Sequence, residues 1–148
     1  MGAQVTMLDD GQRLADMDRI YEAPGRIRLV YAYPDQIKTA ISYADVFIGA
    51  IHTRGQRASQ IITEQMVKSM RPGSVIIDVS IDQGGCVETS RPTTLRDPTF
   101  IKHGVIHYCV PNFTALVART ASRALSTDIR PYPLQPAQDF KRIFDGDA

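Results

Sequence analysis

Residues 74–85 read Ser74-Val75-Ile76-Ile77-Asp78-Val79-Ser80-Ile81-Asp82-Gln83-Gly84-Gly85, an apolar run that passes into acidic and glycine-rich sequence. Pro72-Gly73 precedes it. A short β-branched run bounded by turn residues reads as a strand buried on both faces of a parallel sheet. Period two puts Val75, Ile77, Val79 and Ile81 on one face and Asp78, Ser80 and Asp82 on the other, so polar groups gather where the strand runs out. Upstream, Asp45-Val46-Phe47-Ile48-Gly49-Ala50-Ile51 is a second such run, also expected to be buried on both faces. Between the two, residues 52–60 are polar loop, and a helix opens at Thr63-Glu64 and runs to Met70 before Pro72-Gly73 stops it.

Outward from this pair, strand and helix patterns alternate, the mark of a layered α/β sheet. Ala3 to Leu8 reads as a strand ending at Asp9-Asp10-Gly11. Leu14, Met17, Ile20 and Tyr21 then fall at helical spacing ahead of Pro24-Gly25. Arg26 to Tyr31 is the next strand, and Pro34-Asp35 starts a helix through Ile37, Ala40 and Ile41, since proline is tolerated in a first turn. Residues 82–104 form a long Gly- and Thr-rich connection, and such loops are functional or disordered. Val105 to Val110 resumes as a strand, and Phe113 to Leu125 reads as a helix after Pro111-Asn112. From Asp128 the prolines Pro131, Pro133 and Pro136 break regular structure, and a short helix re-forms at Asp139 to Phe144. The expected fold class is α/β, a doubly wound parallel sheet, with a partial dinucleotide-binding domain over 1–127 and a proline-rich tail over 128–148.

Composition excludes several function classes. Seventeen Lys plus Arg against 16 Asp plus Glu give a net charge of +1 over 148 residues, without the basic stripe that nucleic acid requires. A 43% hydrophobic share is that of a chain with a core. No apolar stretch approaches the roughly 18 residues of a membrane span. The expected compartment is therefore the cytoplasm. Cys86 and Cys109 lack metal-ligand spacing and read as small buried hydrophobes, so no metal is expected. Met1-Gly2-Ala3-Gln4-Val5-Thr6 fits an N-myristoylation pattern, but the same residues read as a strand, which opposes it.

In open parallel sheets ligands sit beyond the carboxyl ends of the strands. The positions to weigh are thus Asp9, Ala32, Ile51-His52, Asp82 to Gly85, and Val110-Pro111-Asn112. Asp9 ends a strand where a dinucleotide fold needs a carboxylate for the ribose hydroxyls, and Asp10 beside it disfavours a 2′-phosphate, which selects NAD over NADP. Asp9 reads equally as a helix N-cap. Asp82, before a tight glycine pair, could take or relay a proton, or simply bond its own turn. His52, His103 and His107 lack the spacing of a helical metal pair and read as loop or strand-surface residues. No G-x-G-x-x-G occurs, so a phosphate cradle is missing from this sequence and cofactor binding is expected to be weak or absent.

The run Arg71 to Thr94, with Ile81-Asp82-Gln83-Gly84-Gly85-Cys86 and Ser90-Arg91-Pro92-Thr93-Thr94, followed by His107-Tyr108-Cys109-Val110 and Asn112, resembles NAD-dependent alanine dehydrogenases, which share a superfamily with the transhydrogenase nucleotide-binding subunit. The resemblance covers residues 2 to about 127 and implies a Rossmann-like domain that here lacks the family's first strand and glycine-rich loop. It implies oxidative deamination of L-alanine to pyruvate and ammonia with NAD. Asp82 and Asn112 would then be the catalytic-side residues, and Asp9, Ile51, Ile81, Asp82, Val110 and Phe113 the cofactor-binding ones. Ala32 stands where the family often has a cofactor-contacting Ser, and Pro111-Asn112-Phe113-Thr114 differs from the usual Ala-Asn-Met-Pro. The chain alone is expected to be inactive, because the family's substrate domain supplies the Lys and His that bind pyruvate. Removing the first, central strand of a 3-2-1-4-5-6 sheet leaves two bare edges, which a homodimer or a companion chain would bury. The competing reading is a non-catalytic module that associates through those edges.

Overall fold

The computed structural model describes residues 2–11, 26–52 and 56–129. The helix expected around Leu14 to Tyr21, the Pro24-Gly25 turn and the re-formed helix at Asp139 to Phe144 lie outside them. In chain order the elements are β1 (Val5–Asp9), β2 (Ile27–Tyr31), α1 (Pro34–Tyr43), β3 (Val46–Gly49), α2 (Glu64–Ser69), β4 (Val75–Asp78), a 3-10 turn (Val79–Gln83), β5 (Thr99–Lys102), β6 (Val105–Tyr108), a second 3-10 turn (Phe113–Val117) and α3 (Ala118–Ile129). Two compact units result, Met1–Pro111 and Asn112–Ala148. In the second unit the helix expected from Phe113 begins as a 3-10 turn, and α3 continues to Ile129, just into the stretch read as tail.

The described strands of the first unit form two sheets, ordered β1-β2 and β3-β4-β6-β5. β1 and β2 are parallel, Val5 opposite Ile27 through Asp9 opposite Tyr31. β3, β4 and β6 are parallel too, with Val46 opposite Val75 and Val75 opposite Ile106. This is the α/β architecture expected from the alternating pattern, and among the described residues no strand joins β1 to β3.

Three expectations are corrected. β3 is not buried on both faces: it lies at the end of its sheet among the described strands, and Val46 and Ile48 are 54% and 62% exposed. The long connection 82–104 contains a strand, β5, paired antiparallel to β6. His103 and Gly104, at φ 55° and 77°, make the two-residue turn whose left-handed backbone matches strand twist. The sequence signal for it is the His-Gly pair between two alternating runs. Third, β4 stops at Asp78 and the chain coils into the 3-10 turn, so period two fails from Val79 on: Ser80 and Ile81 are both buried, whereas Val79 and Asp82 are exposed.

The core lies between the helices and the β4 side of the larger sheet: Ile41 from α1, Val67 and Met70 from α2, Ile76 from β4, Val105 from β6, and Ile62, Cys86 and Val87 from the loops. Helix α2 begins where the Thr63 hydroxyl accepts a hydrogen bond from the Met66 amide at 3.2 Å. Cys86 and Cys109 are buried free thiols, as their spacing implied. No helix among the described residues is long and apolar enough to cross a membrane.

His107 is a further correction, being fully buried rather than on a strand surface. Period two in β6 turns His107 to the same inner side as Val105. Its Nε2 meets the Thr89 hydroxyl at 2.8 Å, its Nδ1 meets the Val105 carbonyl at 3.0 Å, and its ring stacks on Phe100, over which Arg91 lies. Burial, with smaller contributions from Lys102 and His103, holds the His107 imidazole below its ordinary value of 6.5. A lowered histidine contributes its full stability above the unfolded value, and that stability is lost as pH falls, because the unfolded chain then binds a proton that the folded ring refuses. Thermal or urea unfolding should therefore show stability falling by up to about 1.4 kcal/mol per pH unit below roughly pH 6.5, and His107→Gln should flatten that segment. The Glu64 carboxyl, held below 4.5 chiefly by its hydrogen bond from His103, acts in a lower window. An unchanged slope in the variant would refute the assignment.

Candidate functional site

Because β3, β4 and β6 run parallel, their carboxyl ends share one edge of the sheet, and the segments leaving them converge there. The Ile51 amide donates to the Ser80 hydroxyl at 2.6 Å, and His52 Nδ1 lies 2.8 Å from Gln83 Nε2. These two contacts clasp the segment after β3 to the 3-10 turn after β4. Further on, the Ala58 amide donates to the Gln83 carbonyl, both Ile61 and Ile62 amides donate to the Cys86 carbonyl, and the Glu88 amide returns to Ile62. Residues 58–62 therefore run alongside 83–88 as a short parallel bridge, Ile62 opposite Val87. After β6, the Thr93 amide donates to the Cys109 carbonyl at 2.9 Å, and the Thr93 hydroxyl accepts from the Cys109 amide and donates to the Pro98 carbonyl.

The centre of this edge is Asp78, to which the alternation of the sequence assigns a polar strand face and no role. The residue is 2% exposed. Oδ2 accepts from the Cys86 amide at 3.0 Å and the Val87 amide at 3.3 Å, and Oδ1 accepts from the Cys86 thiol at 3.5 Å. Gly85 sits at φ 80°, and a Cβ there would come 2.9 Å from Asp78 Oδ2, so the close approach of backbone to carboxyl requires glycine. Burial and the adjacent Asp78 push the Cys86 thiol up to about 12, and burial raises Cys109 as well. Both thiols are therefore poor nucleophiles. Among the described residues no group of three or more His, Cys, Asp or Glu side chains could hold a metal.

Of the residues singled out from the sequence, Ile51, Ile81 and Asp82 are gathered on this edge by the Ser80 and Gln83 clasps. Ile81 and Val110 are buried at 5% and 6%, Ile51 is half-buried, and Asp82 is exposed on the 3-10 turn. Val110 leaves β6 on the same edge. Asp9 ends β1 in the other sheet, where its Oδ1 accepts from the Gly11 amide at 3.1 Å and its carbonyl from the Ala32 amide at 2.8 Å. One carboxyl oxygen thus serves the turn, and a carboxylate has acceptor capacity for more than one donor. Asn112, at φ 54°, and Phe113 belong to the second unit. Two shallow concavities lie on the β1–β2 sheet instead, one against α1 and lined by Leu8, Val30, Ala40 and Tyr43, the other lined by Arg28, Tyr31, Tyr33 and Gln36.

Comparison with known proteins gives the same assignment from sequence and from structure. Residues 1–145 match the family described as "Alanine dehydrogenase/PNT, C-terminal domain". The chain is 44% identical to the alanine dehydrogenase of Halomonas elongata over 133 residues, which is 89% of this chain and 35% of that protein. It is 46% identical to that of Methanococcus maripaludis over 139 residues, or 93% of this chain and 37% of that one. Among solved structures, an L-alanine dehydrogenase superposes with a TM-score of 0.79 at 39% identity, covering 99% of this chain and 40% of its own. A transhydrogenase from Sinorhizobium meliloti, at 20% identity and a TM-score of 0.60, shares the fold. The chain thus spans little more than a third of the length of these curated relatives.

The Asp78 arrangement makes a direct prediction. Replacing Asp78 with Ala leaves two buried amides without acceptors, each costing on the order of 1–3 kcal/mol. Asp78→Asn keeps an acceptor oxygen of the same shape and should lose less than half as much. Urea unfolding of the two variants measures this, and equal losses would show that the carboxyl is not the brace described.

Proposed function

Since the chain belongs to the alanine dehydrogenase/PNT C-terminal domain family, we propose that it is the dinucleotide-binding part of an NAD-dependent alanine dehydrogenase. The reaction is oxidative deamination, in which L-alanine, water and NAD+ give pyruvate, ammonium, NADH and a proton. The observation that carries this reading is the clasped strand-end edge, which holds Ile51, Ile81 and Asp82 together where parallel sheets bind ligands.

The residues present fit the two ends of the dinucleotide. Asp9 retains acceptor capacity at the end of β1 and would take the adenosine ribose hydroxyls. Ile51, Ile81 and Val110 would supply apolar walls of the nicotinamide side. Asp82 would face the reacting carbon, accepting or relaying a proton at its carboxyl. NAD, when bound, supplies the hydride acceptor. A glycine-rich helix start for the pyrophosphate is absent from the sequence, so cofactor binding by these residues alone is proposed to be weak. These 148 residues by themselves are expected to give no alanine-dependent NAD reduction, because orienting the hydride donor needs groups that they do not contribute.

Calorimetric titration with NAD and NADP tests the cofactor assignment. NAD should bind more tightly, and Asp9→Ala should weaken it by roughly 1.5–3 kcal/mol, the value of a hydrogen bond to a charged group. Tighter NADP binding, or alanine-dependent turnover at the rate of an intact enzyme, would overturn the proposal.

A second reading is favoured by the exposure of Val46 and Ile48 on the end strand β3. An uncovered apolar edge strand is a template for pairing with another chain. We propose that a second copy or a companion polypeptide covers it. Sedimentation at micromolar concentration should show a dimer or larger species for the isolated chain, and Ile48→Lys should shift it to monomer. A monomeric parent chain would refute self-association.

A further inference from the structure

Tyr31, the last residue of β2, and Tyr33, two residues on, stack with ring centroids 5.8 Å apart and planes at 24°. Both are exposed, at 52% and 64%. The inner ring packs against the backbone, since Tyr31 lies so close over Gly11 that a Cβ there would come 2.6 Å from it. The outer ring has no such part in the fold. Tyr33 occupies the N-cap position of α1 through its backbone alone, and its side chain makes no cap hydrogen bond. With Arg28 and Gln36 the two rings border an open concavity.

The position of this pair is what gives it meaning. In the parallel ladder Tyr31 stands opposite Asp9, one strand spacing away, and the amide of Ala32, between the two tyrosines, donates to the Asp9 carbonyl. A ribose held by the Asp9 carboxyl carries its base on the adjoining carbon, which brings a planar heterocycle beside β2. We infer that Tyr31 and Tyr33 form a stacking platform for the adenine base, with Tyr33 the ligand-facing ring and Tyr31 the support that fixes it. The inference rests on the dinucleotide reading and adds the residues on which the purine, the wider of the two ring systems of the dinucleotide, would stack.

NMR titration of the 148-residue chain with AMP, and separately with nicotinamide mononucleotide, tests it. AMP should move the ring resonances of Tyr33 and Tyr31, and nicotinamide mononucleotide should leave them in place. Tyr33→Ala should weaken AMP and NAD by about five- to a hundredfold, the range of one base–aromatic stack, while Tyr33→Phe stays within about twofold of the parent. Far-ultraviolet circular dichroism and thermal unfolding of both variants should stay close to the parent, since Tyr33 is 64% exposed and its side chain makes no cap hydrogen bond. NAD binding that Tyr33→Ala leaves unchanged would overturn the platform and keep the dinucleotide reading. AMP binding that depends on Tyr33, without any tighter binding of NAD or NADP, would keep the platform and overturn that reading. Rings undisturbed by AMP and by NAD would overturn both.

Discussion

The arrangement of the strand-end edge depends on one buried carboxyl. Asp78 closes β4 and receives the amides of Cys86 and Val87, residues that follow a full 3-10 turn and two left-handed glycines. Without that acceptor the loop would have two buried amides to satisfy and no reason to fold back on its own strand. With it, the loop is pinned over β4, the Cys86 carbonyl is presented to Ile61 and Ile62, and residues 58–62 have a backbone to run beside. The clasps of Ser80 to Ile51 and Gln83 to His52 lie within this pinned segment, so the order of the site follows from the order of the brace.

Two carboxyls four residues apart consequently have opposite environments. Asp78 is enclosed and fully engaged with backbone donors, whereas Asp82 is exposed on the outer side of the same turn. A carboxyl enclosed among backbone donors cannot exchange protons without loosening what it holds, whereas an exposed one is within reach of solvent. The tight geometry that excludes side chains at Gly85 therefore serves the exposed carboxyl indirectly, by fixing the backbone that carries it. This difference in exposure is the ground for proposing Asp82, and not Asp78, for chemistry.

Much of this is legible in the sequence. Apolar runs bounded by Pro-Gly or Asp mark β3 and β4, the Pro34 start marks α1, and Thr63 marks the cap of α2, because each is a local signal with a local cause. Four features escape such a reading. Asp78 lies inside a run whose alternation predicts a shared polar face, and only the change from strand to 3-10 turn, driven by contacts with residues eight and nine positions on, separates it from Asp82. His107 reads as a surface residue on its chemistry, although its two-residue spacing from Val105 on a paired strand carries it inward. β5 is hidden in a polar connection, and the His103-Gly104 turn that reveals it is legible once a two-residue hairpin is considered. The stacked tyrosines carry no signal in sequence, since nothing local distinguishes Tyr33 from any exposed aromatic until β2 is placed beside β1.

The uncovered side of β3 sets a limit on how the first unit exists in solution. Parallel strands gain their stability from helices or neighbours on both faces, and β3 has the apolar composition of such a strand without burial on both. Val46 and Ile48, 54% and 62% exposed, each leave about 1–2 kcal/mol of burial unrealised, against a total stability of about 5–15 kcal/mol for a domain. The flanking pair of Asp45 with Arg71, at 3.2 Å and largely exposed, places charge at one end of the strand but not along it. Sheets that tolerate an open edge ordinarily interrupt it with lysine, proline or a bulge, and β3 has none of these. The sequence of β3 is therefore that of an interior strand, and the exposed Val46 and Ile48 together with its open edge are what the proposed association would cover.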